Sequence, residues 1–222
     1  MAVNIYPPVE SADKHGLLAL GGNLSVESLV SAYSKGIFLW PFNEDLLAWF
    51  CPPQRALIFC DEFHIPSSMK KVLKRGTYSI KVDSCFEDVI RGCRNSNNRK
   101  GQRGTWITEE MCKAFTQLHD AGFAHSIEAF RDGELVGGIY GVSIGAMFAA
   151  ESMFYTQPDA SKVALAFLVE LLRTNGSSWL DVQVTNPFTA RLGAREVTRA
   201  EYLELLATAL HKPALFPLKD NT

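Results

Sequence analysis

Three apolar runs follow one another between His125 and Tyr155, and the residues between them leave the chain few options. "HSIEAF" (His125–Phe130) is followed by Asp132-Gly133, a pair that supplies the positive φ angles of a two-residue hairpin turn. Gly145 then separates "ELVGGIYGVSI" from "AMFAAESMFY". Strands joined by tight turns pair antiparallel, so this stretch predicts a β-meander. Asp159 next caps "ASKVALAFLVELLRTNG", the most apolar helical stretch of the chain. A short strand, "DVQV", and a helix, "RAEYLELLATALH", complete the order helix, meander, helix, strand, helix. That order predicts an α+β fold with helices packed on a sheet.

The first half carries mostly helix signals. Ser25 precedes "VESLVSAYSKG", with Leu29, Val30 and Tyr33 at helical spacing and Gly36 as the stop. Ser67 opens "SMKKVLKRG", closed by Gly76, and Thr108 caps "EEMCKAFTQLHDAG". Ser84 and Glu87 have the spacing of a capping box. The polar, basic stretch Arg91–Gly104 is expected to be a loop, and residues 1–15 and 213–222 to be loosely held ends.

Composition excludes several classes. The 222 residues are 47% hydrophobic, enough for one large domain or two small ones, and a division is expected between 1–62 and 63–222. The formal net charge is −2, so any contact with nucleic acid must come from a local patch. Five cysteines, an odd number with no CxxC pair, support neither a disulfide framework nor a zinc ribbon. The N-terminal stretch is polar and proline-broken, unlike a signal peptide, and the apolar runs fall short of the roughly 20 residues of a membrane span. A cytoplasmic protein without a membrane partner is expected.

Asp181 and Gln183 are the unusual feature of the "DVQV" strand. Residues i and i+2 of a strand share a face. Asp181 can therefore accept from the Gln183 amide NH₂, fixing its flip and aiming its carbonyl outward. Taken alone, the pair reads more readily as a buried Asp capping a loop and a Gln at a strand edge. His15, His64, His119, His125 and His211 are not expected to cluster and show no metal-protease or nucleophile-elbow spacing; His119 and His125 flank Gly122, and structural roles are expected for those two.

Nine stretches together resemble one family. "GLLALGGNLS", "AYSKGIFLW", "GTWIT", "LHDAGFAHSIE", "LVGGIYGV", "ESMFY", "DASKVAL", "DVQV" and "RLGA" occur in the order found in leucyl/phenylalanyl-tRNA–protein transferases, from about Gly16 to Leu206. The resemblance implies transfer of Leu or Phe, and less well Met, from aminoacyl-tRNA to a protein with N-terminal Arg or Lys, creating an N-degron. It implies a GNAT-type, acetyltransferase-like mixed sheet with packed helices behind a smaller N-terminal domain, and no metal or redox cofactor. A monomer is expected, although the sequence does not fix the oligomeric state.

The same resemblance assigns roles to residues. It implies that Asp181 and Gln183 are catalytic. Trp40 and Trp106 match positions that hold the terminal adenine, although core packing is the commoner fate of a lone Trp. Glu151 and Met153 line the aminoacyl slot, with Ile139, Leu168 and Leu180 at neighbouring positions; those three are equally ordinary core residues. Glu151 is the oddest of these, because a carboxylate in an apolar meander is costly unless paired. Clustered cations give salt-sensitive phosphate binding. Lys70, Lys71, Lys74 and Arg75 are the candidates for tRNA, supplemented by Arg91, Arg94, Arg99, Lys100 and Arg103.

The chain departs from the family pattern at Leu39, where Pro is usual, and at Trp49-Phe50, where a Trp pair is common. Between Asn186 and Arg191 it lacks a His that many members carry. Three other readings compete: a coenzyme-A-dependent N-acetyltransferase, a tRNA-dependent peptidoglycan-type transferase, and a non-catalytic tRNA or N-degron binding module. The first is weakened by "FYTQPD", which lacks the glycines of a pyrophosphate-cradling loop.

Overall fold

The computed structural model describes residues 6–40, 46–96 and 106–216. The N-terminal part contributes β1 (Leu17–Leu20), α1 (Val26–Tyr33), β2 (Phe38–Leu39) and β3 (Ala48–Phe50), with the strands in a small sheet of order β1-β3-β2. Ser25 caps α1 by accepting from the Ser28 N–H, as its sequence predicts.

The remaining elements are β4 (Gln54–Phe59), α2 (Ser67–Arg75), β5 (Ser79–Val82), α3 (Phe86–Asn95) and α4 (Glu109–Asp120). They continue with β6 (Ala124–Arg131), β7 (Glu134–Ile144), β8 (Met147–Tyr155), α5 (Ala160–Thr174) and β9 (Trp179–Gln183). The chain closes with α6 (Pro187–Arg191), β10 (Arg195–Thr198) and α7 (Arg199–Leu210). Seven strands form the large sheet, in the order β10-β4-β9-β8-β7-β6-β5. The meander of β6, β7 and β8 is antiparallel, as the Asp132-Gly133 and Gly145 turns require. β4 already belongs to this sheet, so the change from small to large sheet falls between Phe50 and Gln54.

β8 and β9 run parallel, and the apolar α5 makes the crossover that a parallel pair needs. Their main-chain pairing is confined to Ala149↔Asp181. Both faces of β7 are covered, which explains its unbroken apolar sequence. A Cβ on Gly137 would stand 2.7 Å from Ala160 of α5, and one on Gly138 would stand 3.1 Å from Val89 of α3.

Three local expectations are corrected. Ser84 does not cap α3; Cys85 holds that position without a side-chain cap, and Ser84 donates to the buried Glu128 at 3.2 Å. A buried carboxylate needs donors more than a helix end open to water does. Asp159 stands before α5 but pairs with Lys162 at 2.6 Å instead of capping with its side chain. Arg91 and Arg94 lie in α3, not in a loop, because the apolar Val89, Ile90 and Cys93 bury one helical face through that stretch.

Candidate active site

Strand irregularity places the central carboxylate. On β8, Ser152 pairs with Tyr140 and Ala150 with Gly141, which leaves Glu151 as the extra residue of a β-bulge. Gly141, opposite the bulge, is where the β8 main chain comes close: a Cβ there would meet Ala149 O at 2.2 Å and the Phe148 ring at 2.4 Å. Glu151 is buried and receives a hydrogen bond from Gln183 Nε2 at 2.7 Å. This side-chain bond bridges β8 and β9 just past their single main-chain pairing at Ala149↔Asp181. Burial pushes the Glu151 carboxyl up to about 8; Tyr33 pulls it down, the Asp181 charge pushes further up, and Arg55 and Gln183 oppose the rise.

The bond expected from the Gln183 amide to Asp181 is therefore made to Glu151 instead. Asp181 is fully buried and wholly engaged. Its Oδ1 accepts from Arg55 Nε at 2.9 Å and from the Gln183 main-chain N–H at 2.9 Å. Its Oδ2 accepts from Arg55 Nη2 at 2.6 Å and from Tyr202 Oη at 2.9 Å. The i, i+2 argument fails because Gln183 leaves the extended conformation: its φ is 64°, and Val184 N donates to Val182 O at 2.7 Å around it. The turn swings the amide toward β8. The Gln183 carbonyl oxygen has no hydrogen-bond partner among the described residues, and it belongs to a half-buried side chain.

Arg55 carries no functional signal in the sequence. It is an ordinary arginine after a Pro-Pro-Gln turn, and only the fold brings it to Asp181 across 126 residues. Burial works against its charge, but the Asp181 carboxylate more than compensates and its pKa stands above the ordinary value. Tyr33 shows only helical spacing in the sequence; its buried hydroxyl lacks a hydrogen bond of normal geometry, yet it lies close enough to feel the Glu151 charge, which, after burial, raises its pKa further.

The other expected residues lie in several parts of the fold. Ile139 and Met153 are directly cross-strand on β7 and β8, and with Leu168 of α5 and Leu180 of β9 they pack in one hydrophobic core. Ile139, Leu168 and Leu180 are buried and Met153 is half-buried. Trp40 stands 42% exposed after β2, its ring 6.5 Å from those of Phe38 and Phe50. Trp106 is half-buried before α4. Lys70, Lys71, Lys74 and Arg75 lie on α2, have no acidic partner among the described residues, and are all exposed. Arg91 and Arg94, by contrast, are paired with Glu87 and Glu109. Arg99, Lys100 and Arg103 lie outside the described residues.

Two other features stand apart. A cavity of about 510 Å³ opens between α2 and α5, lined by Val72, Leu73, Ile80 and Phe167 among others, and none of the expected site residues reaches it. Asp83, His119 and His125 cluster beside β6. His125 Nδ1 meets Asp83 Oδ2 at 2.7 Å, and His119 Nδ1 meets Ala124 O at 2.7 Å.

Comparison with known proteins gives a consistent family. Residues 57–207 match the model of the leucyl/phenylalanyl-tRNA protein transferase family, and residues 22–53 match that of its N-terminal domain. The leucyl/phenylalanyl-tRNA–protein transferase of Anaeromyxobacter dehalogenans strain 2CP-C is 48% identical over 210 residues, 95% of this chain and 90% of that protein. That of Syntrophotalea carbinolica is 44% identical over 217 residues, 98% of this chain and 94% of that protein. Among solved structures, the C-terminal domain of a putative lysylphosphatidylglycerol synthetase from Agrobacterium fabrum is similar with a TM-score of 0.47 at 12% identity. The match covers 84% of this chain and 70% of that one.

Proposed function

The chain belongs to the leucyl/phenylalanyl-tRNA–protein transferase family, and from that premise we propose that it moves Leu or Phe, and less readily Met, from aminoacyl-tRNA to the N-terminal Arg or Lys of an acceptor protein. The product carries an N-degron that marks it for proteolysis.

The donor is an activated ester, so the chemistry is a direct aminolysis. The acceptor's α-amine attacks the ester carbonyl, a C–N bond forms, and the bond from that carbon to the ribose 3′-oxygen breaks. The amine gives up a proton and the 3′-oxygen gains one. Holding amine and ester together can supply roughly 7–11 kcal/mol of the barrier in favourable cases.

The observation that carries this reading is the Gln183–Glu151 pair at the end of the β8–β9 pairing. The Gln183 carbonyl oxygen accepts a hydrogen bond from the attacking amine and orients its lone pair. Glu151 takes the amine's proton and returns it to the 3′-oxygen. Its carboxyl, pushed up to about 8, titrates close to neutral pH, which suits a group that takes the proton the amine nitrogen loses as the C–N bond forms and gives it to the departing 3′-oxygen. Asp181 is buried beneath and touches no substrate; it is a positioning residue.

The aminoacyl side chain occupies the apolar region of Ile139, Met153, Leu168 and Leu180. A methylene-scale misfit discriminates by only about 1–3 kcal/mol, so some transfer of Met follows. Trp40 and Trp106 stack the terminal adenine, a contact worth about 1–3 kcal/mol per base. The cations of α2 take the tRNA phosphates in a sequence-independent manner.

The test is transfer of labelled Leu or Phe from charged tRNA to peptides that begin with Arg, Lys or Ala. Labelling of the Arg and Lys peptides, abolished when their α-amine is acetylated, is the expected result. No labelling at low salt by a well-folded preparation overturns the reading.

A further inference from the structure

Gln183 sits at the centre of a three-residue turn with φ of 64°, closed by Val184 N donating to Val182 O at 2.7 Å. A residue with a Cβ adopts that left-handed conformation only where its surroundings hold it there. The direction of the Gln183 side chain, and hence its bond to Glu151, depends on this backbone. One side chain reaches the turn to hold it: Asp181 Oδ1 accepts the Gln183 N–H at 2.9 Å.

Asp181 is itself fixed by a guanidinium that is engaged on every side. Arg55 Nε and Nη2 form a fork on both carboxylate oxygens. Nη1 donates to Gly36 O at 3.1 Å. Phe38 and Tyr202 cover the guanidinium from ring centroids 4.5 Å away. A structural ion pair needs a charge near a charge; this arrangement fixes the plane of the carboxylate, and with it the oxygen presented to Gln183.

We propose that Arg55 is a positioning residue of the transfer reaction, setting the aim of the Gln183 amide through the orientation of Asp181; this rests on the roles of Gln183 and Glu151 given above. The small N-terminal sheet takes part, because Gly36 and Phe38 complete the guanidinium's enclosure. Lysine keeps the charge at residue 55 but has neither the fork nor the flat faces.

The experiment is a double-mutant cycle on the single-turnover rate at saturating charged tRNA, using Arg55→Lys, Gln183→Ala and the double variant. Binding of charged tRNA and cooperative thermal unfolding are measured for each. Arg55→Lys is expected to slow transfer by about 10- to 100-fold with tRNA affinity unchanged. In the Gln183→Ala background it is expected to cost less than about 2-fold, because the group it aims is gone. Multiplying losses, or an Arg55→Lys rate within about 3-fold of wild type, overturn the proposal. If Gln183→Ala alone leaves the rate unchanged, the reading of Gln183 fails, which is a different outcome from failure of Arg55 alone. Should Arg55→Lys not fold, Phe38→Leu loosens one face of the guanidinium while leaving the ion pair. It must show a smaller loss with the same masking by Gln183→Ala, and an unchanged rate counts against the proposal.

Discussion

Gln183 donates its side-chain amide to Glu151 across 2.7 Å, while Asp181, two residues upstream, holds the Gln183 main-chain N–H at 2.9 Å. The carboxylate nearest in sequence fixes the backbone, and the one on the neighbouring strand meets the functional group. The two acids differ in setting: Asp181 is locked in a buried ion pair, and burial pushes the Glu151 carboxyl up to about 8.

Glu151 should make the protein less stable as the pH rises. Its folded value, about 8, lies above the ordinary 4.5. Between those values the unfolded chain has given up a proton that the folded chain still holds, so raising the pH favours unfolding. The effect is absent below about pH 4.5 and complete above about pH 8, on the order of a few kcal/mol. Urea denaturation of wild type and Glu151→Gln at pH 5 and pH 9 checks this. The two should be similar at pH 5, with the variant more stable at pH 9.

Removing one partner of the buried Arg55–Asp181 pair should cost about 3–5 kcal/mol, because the other charge is left without compensation. The double variant Arg55→Met/Asp181→Leu should lose clearly less than the sum of the single variants. Chemical denaturation of all four proteins gives the coupling. Activity losses in Asp181 variants have meaning only beside such data.

The α2 cations should act on tRNA binding and little else. Lys70→Glu with Lys74→Glu alters one exposed face of the helix. Each phosphate that the double variant no longer neutralises should flatten the slope of log affinity against log salt by about 0.7–0.9. Filter binding across a salt series measures this. The single-turnover rate at saturating tRNA should stay near wild type.

Leu168 is fully buried on α5, and its truncation to Ala should cost about 2–5 kcal/mol of stability. The room it opens beside the proposed aminoacyl slot should move donor preference from Leu toward Phe by roughly 10-fold or more in kcat/KM ratio. Competition between the two charged tRNAs in one reaction reads the shift directly.

The meander, the α5 crossover and the closing helix were legible in the sequence because their signals are local: Asp132-Gly133, Gly145, and the apolar period of α5. The small N-terminal sheet was not, since its strands β1, β2 and β3 are too short to show a period. Of the site, Gln183, Glu151 and Asp181 could be found through a family resemblance. Their connections could not. The bulge at Glu151 and the positive φ at Gln183 each break the alternation on which strand reasoning depends. Arg55 joins Asp181 through tertiary contact alone and carries no local mark.

The most direct test follows single-turnover transfer of Phe from saturating charged tRNA to an Arg-initiated peptide, between about pH 6 and pH 9, in wild type and Gln183→Ala. The wild-type rate should climb with pH and level off near 8, as Glu151 and the acceptor amine lose their protons. Gln183→Ala should bind charged tRNA normally and react at least about 100-fold more slowly. A folded Gln183→Ala protein that transfers within about 3-fold of the wild-type rate would contradict a site built around that amide.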